Sequence, residues 1–113
     1  APDLQMPGTL SEILVIDEDH DQMAACVRAL LQAGHRVREA ASGAQGLQLA
    51  QQQPPDLILL DIHLGDVSGL ELCRRLKDDP ETRHIPVVLV TALDGRSDRI
   101  EGLEAGADDV IYR

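Results

Sequence analysis

A chain of 113 residues, 43% hydrophobic and 27% charged, has the size and make-up of one soluble globular domain with a single core. Its net charge of -10 and lone aromatic residue, Tyr112, argue against direct nucleic-acid binding, which draws on basic side chains to displace counterions and on rings to stack bases. No apolar run approaches the roughly 20 residues of a membrane span and no signal peptide is visible, so the expected setting is cytoplasmic, away from membranes.

Residues 1–11 hold two prolines and a glycine without periodicity and read as an N-terminal tail, leaving 12–113 as the domain. Ile13–Ile16 is an aliphatic run, the first strand, ending in Asp17, Glu18 and Asp19. Met23, Val27, Leu30 and Leu31 follow at helical spacing until Gly34 stops the helix. His35–Ala40 alternates, Val37 inward and Arg36 and Arg38 outward, as a half-covered edge strand does. Ser42–Gly43 opens a second helix carrying Leu47 and Leu49, broken by Pro54–Pro55. In Asp56–Asp61 the aliphatic residues Leu57 to Leu60 run without polar alternation, the pattern of a central strand buried on both faces. A turn-rich segment, Gly65–Gly69, leads to a third helix with Leu70, Leu72, Cys73 and Leu76, where Ser68 and Glu71 have capping-box spacing and Asp79-Pro80 ends the helix. Pro86 precedes a fourth strand, Val87–Val90, ending in Thr91. Gly95–Gly106 is expected to be a fourth helix with Ile100 and Leu103 on one side and charges on the other, and Asp109–Tyr112 a fifth strand closed by Arg113. Cys26 and Cys73 fall within helical patterns and read as buried thiols of a reducing compartment.

Strands alternating with helices in units this short require right-handed crossovers. The expected fold is α/β: a doubly wound, flavodoxin-like five-stranded parallel sheet in the order 2-1-3-4-5. Five strands accompany only four helices. A last helix should cover the face shared with the first, and the expectation is a longer chain cut short after its fifth strand.

In such sheets ligands bind beyond the strand C-termini, where strand order reverses. The residues just past each aliphatic run are Asp17 and Glu18, Asp61, Thr91 and Arg113. An Asp at one strand end is usually a cap or turn residue; the combination across four ends is what calls for chemistry. Three carboxylates at close range repel unless a cation neutralises them, and Mg2+ suits a site of few carboxylates, waters and a phosphate. Carboxylate nucleophile, metal, hydroxyl and cation together describe phosphoryl transfer onto an aspartate.

From Ile13 to Arg113 the chain resembles the receiver domains of two-component response regulators. The resemblance is carried by Ile13-Leu14-Val15-Ile16-Asp17-Glu18-Asp19, Pro55-Asp56-Leu57-Ile58-Leu59-Leu60-Asp61, Ser68-Gly69-Leu70-Glu71, Pro86-Val87-Val88-Leu89-Val90-Thr91-Ala92, and Gly102-Leu103-Glu104-Ala105-Gly106-Ala107-Asp108-Asp109. It implies that Asp61 is the phosphoacceptor, served by a histidine kinase or phosphotransfer protein. It further implies that Glu18 and Asp61 ligate Mg2+ with the backbone carbonyl of His63, Asp17 acting through water. Thr91 would bond a phosphoryl oxygen and swing inward, moving the fourth helix and fifth strand, a surface that includes Arg96, Arg99, Glu101 and Glu104 and could serve a homodimer. Such a domain is a signalling switch with self-phosphorylation and slow autodephosphorylation, not an enzyme in its own right. The segment Asp78–Pro86 resembles the loop of receivers attached to cyclic-di-GMP synthases or found in hybrid kinases.

Departures from the family pattern are Glu18 where Asp is commoner, Gly65 for the usual proline, Val110 for a common Tyr or Phe, and Arg113 for the usual lysine, a planar fork in place of a point charge. They keep open a receiver-like interaction module that takes no phosphate. Aspartate-dependent dehalogenase-type phosphatases and cobalamin-binding modules fit poorly: Asp17-Glu18-Asp19-His20 lacks the continuation of the former, and Asp61-Ile62-His63-Leu64-Gly65 places its glycine one position early for the latter.

Overall fold

The computed structural model describes residues 11–91 and 96–112. Strands β1 (Glu12–Ile16), β2 (Arg36–Ala40), β3 (Leu57–Asp61), β4 (Val87–Thr91) and β5 (Asp109–Tyr112) alternate with helices α1 (His20–Gln32), α2 (Gly43–Gln52), α3 (Gly69–Asp78) and α4 (Arg96–Glu104). All pairings are parallel and the sheet order is β2-β1-β3-β4-β5. The doubly wound α/β fold is thus as the sequence indicates, with β3 in the middle of the sheet.

Aliphatic strands buried on both faces create two cores. Leu14, Ile16, Ile58, Leu60, Leu89 and Val110 belong to one, packed with Leu72, Cys73 and Leu76 of α3. Ile13, Val15, Leu59 and Val90 belong to the other, against Met23 and Val27 of α1. Gly34, at φ 95°, ends α1 as expected, and Gly106, at φ 100°, does the same after α4.

Three expectations about side-chain direction are corrected. Leu31 is 54% exposed; the α1 face that reaches the sheet runs through Met23 and Val27. Ile100 and Leu103 are 58% and 45% exposed, because α4 meets the sheet through Gly102, with Ala105 just past its end buried in the core. A Cβ on Gly102 would stand 2.7 Å from Val110 Cγ2 and 2.9 Å from Leu89 Cδ1, so only glycine admits this close approach and the large residues turn outward. Arg38 does not point out to water: it is half-buried along β2, its Nη2 donating to Glu12 Oε1 at 3.1 Å and to the Gln53 carbonyl. Of the two free thiols, Cys73 is fully buried, which pushes its pKa up to about 11, and Cys26 is half-buried.

The N-terminal edge of the sheet is tied by one cation. Lys77 Nζ donates to the Ile85 carbonyl at 2.8 Å and to Asp108 Oδ2 at 2.9 Å, and that oxygen also accepts the Val87 N–H at 2.8 Å. One ammonium therefore joins α3 to the starts of β4 and β5.

Candidate functional site

Register builds the site. Ile16 is paired with Leu60 and Asp61 with Val90, so Asp17, just past β1, and Asp61, the last residue of β3, lie at the same edge, and Thr91 stands one residue beyond the partner of Asp61. Adjacent strands lie about 4.8 Å apart. The ladder continues past the strand ends through Asp17 N–H to the Ala40 carbonyl at 2.9 Å and Ile62 N–H to the Val90 carbonyl at 3.1 Å. Asp17, Asp61 and Thr91 are all buried at this edge, Asp61 at only 2% exposure. Glu18 is exposed beside them. Arg113 and Ala92 lie outside the described residues, and Arg96 is placed in α4 by its backbone.

Short loops set the carboxylates. Asp17 Oδ1 accepts the Asp19 N–H at 3.0 Å, and Asp61 Oδ1 accepts the His63 N–H at 3.0 Å. Each carboxylate is thereby fixed by the turn that follows its strand. The His63 side chain is exposed. From Ile62 the chain loops out and returns at Gly69, whose N–H donates to the Ile62 carbonyl at 2.7 Å. A Cβ on Gly69 would collide with the Asp61 carbonyl and sit 2.6 Å from Ile62 Cα. Glycine there lets the α3 N-terminus close on the backbone of Asp61 itself, which explains why Ser68-Gly69 belongs to the motif.

Asp66 in this loop was not singled out by the sequence. Its Oδ1 and Oδ2 accept the N–H groups of Gly43 and Ala44 at 2.9 and 3.0 Å, and those bonds hold its carboxyl below the usual value. The loop after Asp61 is thus fastened to the start of α2, where Ser42 Oγ also accepts the Gln45 N–H at 3.1 Å. Such a contact spans 23 residues, beyond any local capping pattern.

A cavity of about 400 Å3 opens beside the acidic pair, lined by Asp17, Glu18, Glu39, Ala40, Ala41 and Gln45. Among the described residues no three His, Cys, Asp or Glu side chains gather closely enough to hold a metal ion. The donor set of Asp17, Glu18, Asp61 and the His63 carbonyl is nonetheless all oxygen, and Mg2+ takes one or two carboxylates alongside waters and phosphate. In its chemistry, the set fits that ion.

The Response regulator receiver domain family profile matches residues 13–113. The chain belongs to the response regulator receiver domain family. It is 46% identical to Response regulator PleD of Caulobacter vibrioides over 91% of this chain and 23% of that protein, so it spans about a quarter of this relative's length. The N-terminal domain of a response regulator receiver protein from Methanoculleus marisnigri superposes with a TM-score of 0.83 at 34% identity, covering 93% of this chain and 85% of that one. A response regulator protein from Burkholderia pseudomallei, solved with a phosphorylated aspartic acid, calcium ion and citrate, gives 0.81 at 27% identity over 91% and 59%. The receiver domain is thus one of two-component signalling, and none of its described helices is long and apolar enough to cross a membrane.

Proposed function

We propose that this receiver domain accepts a phosphoryl group on Asp61 from a histidine kinase or phosphotransfer protein. Acceptance then shifts its conformational population to control an attached output domain or partner. In the transfer a carboxylate oxygen of Asp61 forms the new O–P bond as the P–N bond of the donor phosphohistidine breaks. The imidazole leaves and an acyl phosphate remains, which water later hydrolyses. The domain's own chemistry is limited to that self-phosphorylation and slow autodephosphorylation. Asp17, Glu18, Asp61 and the His63 carbonyl would hold Mg2+, which when bound supplies positive charge against the repulsion between carboxylate and phosphate. Thr91, at the end of β4, is the hydroxyl nearest in register to Asp61 and would receive a phosphoryl oxygen. In place of lysine, Arg113 would offer the counter-charge.

One observation carries this reading: three separate strand ends, in adjacent register, deliver Asp17, Asp61 and Thr91 to one edge. The phosphorylated aspartic acid of the Burkholderia relative supports it. Asp61 itself is only 2% exposed. That burial is what favours the alternative, an interaction module without phosphorylation. Incubation with acetyl phosphate and Mg2+ followed by intact mass separates the two. The expected result is a gain of one phosphoryl group by the wild type and none by Asp61→Asn. An unlabelled wild type, or a variant labelled to the same stoichiometry, overturns the assignment.

A further inference from the structure

Positions 18 and 65, the longer acid and the missing proline ring, meet in space. A Cβ built on Gly65 would collide with Glu18 Oε2 and stand 3.2 Å from its Cδ and 3.6 Å from Oε1. Conformation does not demand glycine there, since Gly65 is not among the positive-φ glycines of the described residues. Space does. Nor can the loop retreat easily: Leu64 and Val67 pack on the core on either side of it, and Asp66 is bonded to the start of α2. Any side chain at 65 must therefore displace Glu18. Resting on the metal-assisted reading above, we propose that Gly65 is a positioning residue for Glu18, its bare α-carbon forming the seat that keeps this carboxylate at the mouth of the site, so that the two positions act as a pair in cation recognition.

A methyl group at 65 excludes this Glu18 rotamer, so the carboxylate must meet a cation from a less favourable one, which costs affinity. The shorter aspartate lacks the methylene that brings it against residue 65, so the penalty is confined to Glu18. The test is a double-mutant cycle of Glu18→Asp and Gly65→Ala, reading Mn2+ dissociation constants by electron paramagnetic resonance, with thermal melts of the metal-free proteins alongside. Gly65→Ala is expected to weaken Mn2+ binding about three- to tenfold in the wild-type background and less than about twofold beside Glu18→Asp. Metal-free melting should barely move, because only the far end of a flexible side chain is displaced. Equal fold-changes in the two backgrounds, or a large drop in metal-free melting, overturn the pairing alone. A wild type that binds no Mn2+ overturns the pairing together with the metal-assisted reading of Asp61.

Discussion

The Leu76 carbonyl of α3 would ordinarily accept the amide four residues on, but that residue is Pro80, which has none. Thr82 supplies the donor instead: its fully buried hydroxyl gives a 2.7 Å bond to Leu76 O. Thr82→Val keeps the shape and removes the donor, leaving a buried acceptor unpaired. The expected cost is about 1–2 kcal/mol, read as a lower urea midpoint with an unchanged slope. An unaltered midpoint would contradict that role. Pro80 was legible as the stop of the helix, whereas the hydroxyl that makes the stop tolerable was not. Ser68 was legible because its bond, to the Glu71 N–H at 3.1 Å, follows a three-residue spacing. Thr82 reaches back across a turn whose course no spacing rule describes.

Helices α2 and α4 both approach the sheet through small residues. Gly43, Gly46 and Ala50 are the buried residues of α2, and a Cβ on Gly46 would stand 2.5 Å from Ile16 Cδ1. Leu47 and Leu49 flank that contact, half-buried. Hydrophobic periodicity located these helices correctly but mis-aimed α4, since glycine carries no apolar weight and yet marks the closest contact. The pin at the start of α2 has its own signature in acid. The Gly43 and Ala44 N–H groups lower the Asp66 carboxyl below its unfolded value. Stability from such a group is fully present above the unfolded pKa, about 4, and is lost as pH falls through the lower folded one. Asp66→Asn is accordingly expected to melt below the wild type by the same margin from about pH 7 to about pH 5, with the gap narrowing as pH falls on through about 4 and below. A gap that stays just as wide below about pH 4 would remove the carboxylate from the account.

For the molecule as a whole, unbroken aliphatic runs marked β1, β3 and β4 and alternation marked β2, and the run ends pointed to the edge where Asp17, Asp61 and Thr91 lie. What the chain order could not supply is cross-chain steric fit, such as Gly65 against Glu18 or Gly69 against the Asp61 backbone. Those contacts depend on loops whose course only the folded neighbours determine. The bond set around Lys77 and Asp108 has a mechanical meaning for that edge. It stitches α3, β4 and β5 together at the end where the two strands begin, as a spine binds pages. A tilt that pivots at this spine has its largest amplitude at the fore-edge, where Thr91 and Tyr112 face each other in register. Backbone amide exchange should map the lever: slowest at Val87, and faster step by step along β4 toward Thr91. Uniform protection along the strand would mean that the layer moves as one slab, with no pivot at its bound end.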